Sequence, residues 1–83
     1  MMKPFLYALS TCFHCMRTKR WLTEHNVAYD FINVDLAQAD ERKRLVAEVQ
    51  ALTGASQFPV VKLGDKHVVG FQEEGLKEML GVV

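Results

Sequence analysis

Long hydrophobic runs and an excess of charge of either sign are both missing from this chain of 83 residues. No apolar stretch approaches the roughly 20 residues that a membrane-spanning helix needs, and the N-terminal apolar segment is shorter than the core of a secretory signal. Ten lysine and arginine residues balance ten aspartate and glutamate residues, so no basic field attracts nucleic acid or acidic lipid. We therefore expect a cytoplasmic protein that functions without nucleic acid or a membrane.

The chain is also too short for more than one domain. Hydrophobic residues make up 49% of the sequence, which is enough for one core that folds alone but leaves little to spare. No linker, internal repeat or low-complexity stretch interrupts it. We expect a single domain over residues 1–83 that works as a monomer.

Cysteine is scarce, because Cys12 and Cys15 are the only two in the chain. A disulfide between them would close so short a loop that it would add little stability. Structural zinc is usually held by four ligands, and no second cysteine pair or closely spaced histidine pair completes such a site. The pair is therefore predicted to carry redox chemistry rather than to staple the fold or to bind a metal within one chain.

Apolar patterns predict strands alternating with helices. Short apolar or β-branched runs indicate strands, whereas apolar residues at steps of three and four indicate helices. The predicted strands are residues 5–9, 27–34, 59–63 and 67–69, and the predicted helices are residues 13–25, 35–53 and 73–80.

Capping residues mark the ends of the second helix. Asp35 with Gln38 matches a capping box, and Gly54 is the expected C-terminal cap. The order βαβαββα requires the first two strands to be parallel with a right-handed crossover, and the closing hairpin to be antiparallel. The prediction is an α/β fold with three helices and a four-stranded mixed sheet in which the first strand is central.

The two thiols lie where chemistry gathers in such a sheet. Cys12-Phe13-His14-Cys15 follows the first strand and begins the first helix, and open α/β sheets bind ligands outside the carboxyl ends of their strands. Free amides and a partial positive charge at a helix N-terminus favour a thiolate. Cys15 falls on the inward stripe of the helix and Cys12 at its edge, so we expect Cys12 to be the nucleophile and Cys15 to resolve the mixed disulfide.

The two residues between the thiols are predicted to tune them. Phe13 keeps a backbone N–H near Cys12 that a proline would remove, and it adds an aromatic surface for substrate contact. The His14 imidazole either stabilises the thiolate or simply faces solvent on the first turn, and the sequence leaves both interpretations open.

A CxxC motif beside a βαβ pattern is typical of thioredoxin-like redox proteins, and this chain resembles the glutaredoxins in particular. The resemblance covers nearly the whole chain and implies a thioredoxin-like fold and a dithiol thiol-disulfide oxidoreductase, an electron carrier in cell redox homeostasis. It rests on residues 7–15, Thr18-Lys19-Arg20, Asn33-Val34-Asp35, residues 57–61 and residues 64–71.

The resemblance also implies a substrate groove beside the motif. Phe58-Pro59 matches the cis-proline segment of the family, which lies against the CxxC motif in space. The residues expected to bind substrate or glutathione are Gln57, Phe58, Pro59, Gly70, Phe71 and Gln72. We expect no permanently bound cofactor and no metal, with glutathione as a co-substrate.

Two segments depart from the pattern of glutathione-binding members. Leu9 stands where those members usually have a lysine, and Gly70-Phe71-Gln72 stands where they tend to have two glycines followed by an aspartate. Gln57-Phe58-Pro59 and Gly70-Phe71 resemble instead the corresponding segments of the glutaredoxin-related redoxins that supply ribonucleotide reductase and are reduced by thioredoxin reductase. The partners are therefore disulfide-containing proteins, and the electron donor is either glutathione or thioredoxin reductase.

Two other classes of protein stay open. The family includes members that bridge an iron–sulfur cluster between two subunits through the exposed cysteine and glutathione. A binding module that merely uses the fold is the other alternative, and in that case Cys12 would be dispensable for partner binding.

Overall fold

The computed structural model describes residues 3–82 of the chain. Residues 1, 2 and 83, which the predicted domain includes, lie outside this range. The described strands are β1 (Phe5–Ala8), β2 (Asp30–Asn33), β3 (Val60–Leu63) and β4 (Lys66–Val69), and the described α-helices are α1 (Phe13–Glu24), α2 (Ala39–Thr53) and α3 (Glu73–Leu80).

The strands form one mixed sheet in the order β2-β1-β3-β4. β1 is parallel to β2 and antiparallel to β3, and β3 and β4 form an antiparallel hairpin. The predicted element order, the four-stranded mixed sheet and the inner position of β1 are confirmed. α2 also ends as predicted at Gly54, whose φ of 84° lies in the left-handed region that glycine adopts without steric cost.

The segment after β2 differs from the sequence prediction. β2 is shorter than predicted, and a 3-10 helix, Val34–Leu36, precedes α2, which begins at Ala39 with Gln38 as its N-cap. The predicted capping box at Asp35 is therefore wrong. The Asp35 carboxylate accepts hydrogen bonds from the backbone N–H and the hydroxyl of Ser10, so a partner distant in sequence takes the oxygens that a local cap would have used.

β1 is buried on both faces and separates two apolar clusters. Successive side chains of a strand point to opposite faces, and burial of one large aliphatic side chain contributes ~1.5–3 kcal/mol. On the side of α1 and α3 the cluster comprises Leu6, Ala8, Cys15, Trp21, Leu22, Val61 and Leu76. On the side of α2 it comprises Tyr7, Val34, Leu45, Val49 and Val60.

The single tryptophan of the chain belongs to the first cluster. Trp21 is buried, and its ring stacks on that of His25 with 4.0 Å between the centroids and 27° between the planes. A ring nitrogen of His25 also lies 2.9 Å from the Trp21 carbonyl oxygen. The end of α1 is thus fixed by stacking as well as by backbone hydrogen bonds.

The strand register brings four connections to one end of the sheet. β1 and β2 end level with each other, because Ala8 is paired with Asn33. β3 begins and β4 ends beside that same end of β1, because Tyr7 is paired with Val60 and Val60 with Val69. The loops that carry the predicted site residues therefore emerge together.

Candidate active site

Cys12 is the N-cap residue of α1. Its backbone is extended, with φ of −86° and ψ of 119°, and its Sγ accepts a hydrogen bond from the N–H of Cys15 at 3.2 Å. The first turn of a helix has free N–H groups, and an N-cap side chain normally supplies an oxygen to one of them. Here a sulfur takes that place, so the positive end of α1 faces the half-buried Cys12.

Cys15 lies directly behind Cys12 and is fully buried, with 0% of its surface exposed. Its Sγ accepts a hydrogen bond from the N–H of Leu9 at 3.4 Å. Burial and then the hydrogen bond of Cys12 raise the pKa of Cys15 to about 12, whereas the Leu9 N–H opposes them and the charges of Cys12 and Lys19 act more weakly in opposite directions. The two free thiols thus occupy unlike environments one helical turn apart.

Phe13 and His14 lie on the surface of that first turn. Phe13 is 64% exposed and His14 is exposed as well, and their rings meet edge to face with 6.1 Å between centroids. The His14 carbonyl accepts a hydrogen bond from the buried hydroxyl of Thr18. The backbone of the turn is therefore fixed, while both rings face outward beside Cys12.

The two segments of the predicted groove meet at the same end of the sheet. Phe58-Pro59 is a cis peptide, and the N–H of Gly70 donates to the Pro59 carbonyl at 2.7 Å. The half-buried rings of Phe58 and Phe71 pack against the same cluster as Cys12. The structure thus places Phe58, Phe71 and Cys12 against the same apolar cluster.

The two glutamines of the groove differ in how they are held. Gln57 is exposed before the cis peptide. Gln72 is the N-cap residue of α3, and its amide nitrogen donates to the Val69 carbonyl at 2.6 Å. Gln72 therefore orders the loop that carries Phe71, whereas the side chain of Gln57 faces solvent.

Arg17 connects the motif to the groove. Its guanidinium carbon lies 5.1 Å from the centroid of the Phe71 ring and 5.8 Å from that of Phe13. Such cation–π contacts contribute ~0.5–1 kcal/mol at exposed sites. The spacing of four residues within α1 could have predicted the contact with Phe13, but the contact with Phe71 depends on how α3 and β4 pack.

Sequence reasoning also missed the loop contacts before the motif. The carbonyl of Leu9 accepts a hydrogen bond from the N–H of Cys12 at 3.2 Å, in addition to the bond from its own N–H to Cys15. The next residue, Ser10, donates its N–H to Asp35 at 2.8 Å. Ser10 and Asp35 each lie two residues beyond the level ends of two parallel strands, and this equal offset was the signal that could have paired them.

Within residues 3–82, no group of three or more histidine, cysteine, aspartate or glutamate side chains is arranged to hold a metal ion. None of the helices in that range is both long and apolar enough to cross a bilayer.

Comparison with known sequences identifies relatives of nearly the same length. Residues 5–68 match the glutaredoxin family model. The glutaredoxin-like protein NrdH of Lactococcus lactis subsp. lactis is 31% identical over 74 residues, which cover 89% of this chain and 94% of that protein. An uncharacterized glutaredoxin-like 8.6 kDa protein from the rubredoxin operon of Clostridium pasteurianum is 29% identical over 75 residues, covering 90% of this chain and 93% of that protein.

Solved structures superimpose closely on the chain. The glutaredoxin of Archaeoglobus fulgidus does so with a TM-score of 0.90 at 41% identity, covering 96% of this chain and 87% of that one. Methanoredoxin of Methanosarcina acetivorans gives a TM-score of 0.89 at 36% identity, covering 95% of this chain and 84% of that one. The thioredoxin-like fold expected from the resemblance is confirmed. With a CxxC pair at the start of α1 and the family model spanning most of its length, this chain belongs to the glutaredoxin family, as a redox protein with features of the NrdH-like members.

Proposed function

We propose that this glutaredoxin is a dithiol thiol-disulfide oxidoreductase that reduces disulfide-containing proteins or glutathione mixed disulfides. The observation that supports this most is the asymmetry of the pair, since Cys12 is half-buried at a helix N-terminus and Cys15 is buried behind it. This arrangement suits a mechanism in which one thiol reacts with the substrate and the other reacts only with the first thiol. The scheme uses no permanently bound cofactor, and we expect it to operate in the cytoplasm.

In the first step the Cys12 thiolate attacks one sulfur of the substrate disulfide. A bond forms between the Cys12 sulfur and that sulfur, the substrate disulfide breaks, and its other sulfur leaves as a thiolate with the electron pair. The N–H of Cys15, 3.2 Å from Cys12 Sγ, stabilises negative charge on the attacking sulfur. The product is a mixed disulfide on Cys12.

In the second step Cys15 loses its proton to solvent and attacks Cys12 Sγ. The Cys12–Cys15 disulfide forms, the mixed disulfide breaks, and the second substrate sulfur leaves as a thiolate, so two electrons have passed to the substrate. The hydrogen bond and charge of Cys12 contribute to the raised pKa of Cys15, and both contributions end once Cys12 carries the substrate. We therefore expect the pKa of Cys15 to fall at the stage at which its thiolate is needed.

The groove residues would hold the substrate during these steps. Phe58, Pro59, Gly70 and Phe71 would contact the chain on either side of the substrate cysteine, with Gln57 and Gln72 at its edges. Peptides commonly bind such a surface in extended form through backbone hydrogen bonds. Phe13 would extend the apolar contact, because its ring is exposed beside Cys12, and His14 would act on the Cys12 thiolate only through space.

Of the two electron donors, the local structure favours thioredoxin reductase over glutathione. Position 9 carries a half-buried leucine rather than a cation that could meet a glutathione carboxylate. The loop before α3 presents the Phe71 ring with Arg17 against it, which suits an apolar protein surface. Glutathione is the alternative donor.

A paired turnover assay tests both proposals. The same low-molecular-weight disulfide would be reduced with NADPH, either through glutathione and glutathione reductase or through thioredoxin reductase. We expect turnover mainly with thioredoxin reductase, and equal or faster turnover with glutathione would reverse the choice of donor.

Cys12→Ser is the matched variant for this assay. It should abolish turnover with either donor, because serine cannot form the mixed disulfide. Turnover that persists in this variant would contradict the proposed function itself.

A further inference from the structure

The Asp35 carboxylate holds the loop that contacts both thiols. Its oxygens accept from the backbone N–H of Ser10 at 2.8 Å and from the Ser10 hydroxyl. The preceding residue, Leu9, donates its N–H to Cys15 Sγ at 3.4 Å and accepts the N–H of Cys12 at 3.2 Å. A single peptide segment therefore links the carboxylate to both cysteines.

The sheet register explains why these groups meet. Ala8 and Asn33 are paired in the parallel strands β1 and β2, and Ser10 and Asp35 each follow two residues later. Asp35 belongs to the 3-10 helix that continues from β2. The position of the carboxylate is thus set by the sheet, and the loop between β1 and α1 is held against it by the hydrogen bonds of Ser10.

We propose that Asp35 is a positioning residue that fixes the Leu9 peptide through Ser10 and so supports the attack of Cys15 on the mixed disulfide at Cys12. This inference rests on the proposed function, because it concerns the second step of that reaction. Asp35 would touch neither the substrate nor the reacting sulfurs. Its effect would pass through the hydrogen bond from the Leu9 N–H to Cys15 Sγ.

The expected size of the effect follows from thiol chemistry. A hydrogen bond to a thiolate favours the charged form, and the Leu9 N–H indeed lowers the pKa of Cys15 against the effect of burial. A thiolate fraction reduced about tenfold would be partly offset, because the more basic thiolate is a better nucleophile, with a Brønsted β of about 0.4–0.5. The net result is a resolving step that is about three- to fourfold slower.

A symmetric aromatic disulfide whose thiolate product absorbs visible light separates the two steps. Reduced protein mixed with excess reagent should release one thiolate when Cys12 attacks and a second when Cys15 resolves. We expect Asp35→Ala to slow the second phase about three- to fourfold and to leave the first within about twofold, because Cys12 keeps its own N–H partner at Cys15.

Asp35→Asn separates hydrogen bonding from charge. Asparagine removes the negative charge but keeps an acceptor for the Ser10 N–H and a donor for the Ser10 hydroxyl. If Asp35 acts by positioning the Leu9 peptide, only Asp35→Ala should slow the second phase. If the carboxylate acted by charge alone, both variants would resolve faster than the parent protein, because a nearby anion disfavours a thiolate, and that result would overturn the proposal.

Two further variants complete the test. Ser10→Ala keeps the backbone bond at 2.8 Å and loses only the hydroxyl bond, so its effect should be smaller than that of Asp35→Ala. Asp65→Ala removes an exposed carboxylate from the β3–β4 turn at the opposite end of the sheet and should change neither phase. Equal slowing of both phases in Asp35→Ala would instead indicate a general structural defect and contradict the proposal.

A titration supplies a readout that does not require turnover. In a Cys12→Ser background labelled with carbon-13 at the cysteine β-carbon, the NMR shift of that carbon follows the ionisation of Cys15 alone, because Cys15 is then the only cysteine. Adding Asp35→Ala should move this titration to higher pH, and adding Asp35→Asn should not. An unchanged titration in Asp35→Ala would overturn the positioning role, whereas absence of any thiolate release from the parent protein would overturn the proposed function.

Discussion

The two faces of the sheet bury clusters of similar apolar character, yet only one of them contains a thiol. On the α1/α3 face, Cys15 is part of the buried cluster, and Cys12, Phe58 and Phe71 pack against it. On the α2 face, the polar feature is the Tyr7 hydroxyl, which donates to Glu48 at 2.9 Å. Arg44 pairs with that same carboxylate at 2.8 Å on the surface of α2.

The difference shows that the residues that affect the thiols lie mainly on one face of the sheet, and residues that only stabilise the fold lie on the other. A buried thiol changes its pKa with the packing around it, so the α1/α3 cluster affects reactivity as well as stability. The buried residues of the α2 cluster support the opposite side of β1 and include no thiol, and Leu9, which packs against them, reaches Cys15 through its backbone N–H. Substitutions of equal size on the two faces should therefore have equal effects on stability and unequal effects on the thiols.

The largest expected difference comes from Cys15 itself. Cys15→Ser should lose turnover with protein disulfides, because no second thiol can release the substrate, and the mixed disulfide on Cys12 should accumulate. Mass spectrometry of the quenched reaction would detect this adduct. On the other face, Val49→Ala removes part of an equally buried side chain and should lower stability but keep turnover. A normal steady-state rate with protein substrates in Cys15→Ser would contradict the two-thiol scheme.

A pair of leucines gives an intermediate effect. Leu22 on α1 and Leu45 on α2 are both buried, and either Leu→Ala variant should cost about 2–5 kcal/mol in the free energy of unfolding. Leu22 shares a cluster with Cys15, so its cavity should reduce the desolvation of the thiol and lower its pKa. Urea unfolding would measure the first quantity, and an NMR titration of the Cys15 β-carbon would measure the second. Equal pKa shifts in both variants would show that the faces are not independent.

The smallest effect is expected at Tyr7 on the α2 face. Burial, followed by the hydrogen bond to Glu48, raises the pKa of Tyr7 from 10.0 to about 12. The folded state thus keeps a proton that the unfolded state loses, so this stabilisation is complete below pH 10 and is lost as the pH rises to about 12. Tyr7→Phe should cost roughly 1 kcal/mol at neutral pH and flatten the fall in stability above pH 10.

Thermal unfolding of both proteins across that pH range is the measurement, and turnover at neutral pH is the control. If the stability of Tyr7→Phe fell above pH 10 as steeply as that of the parent protein, the alkaline loss of stability would not come from Tyr7. A change in turnover at neutral pH would mean that β1 transmits changes from one face of the sheet to the other.

The features that the sequence predicted well depend on neighbours along the chain. The helical stripe of α1 placed Cys15 inside and Cys12 at the edge, and Gly54 ended α2, because helix periodicity and a left-handed cap are local properties. α3 has the predicted bounds for the same reason. The placement of the groove segments came from the family resemblance and agrees with the strand register.

The features that it missed depend on partners brought together by the fold. Asp35 matched a local capping pattern, but the parallel register places Ser10 beside it. The Asp35 carboxylate accepts hydrogen bonds from the Ser10 N–H and hydroxyl instead of capping α2. The contact between Arg17 and Phe71 required α1 and the loop after β4 to converge. A periodicity argument holds no information on either pairing, because each joins residues from separate elements.

The stacking of Trp21 on His25 has a practical consequence for following the protein in solution. As the only tryptophan of the chain, Trp21 gives fluorescence from one location, and that location is the buried cluster shared with Cys15. Its emission should respond to changes in packing on the α1 side of the sheet, where its ring stacks on that of His25 at 4.0 Å. We therefore expect both the unfolding of the protein and a change in the redox state of Cys15 to alter the fluorescence of Trp21, without an attached dye.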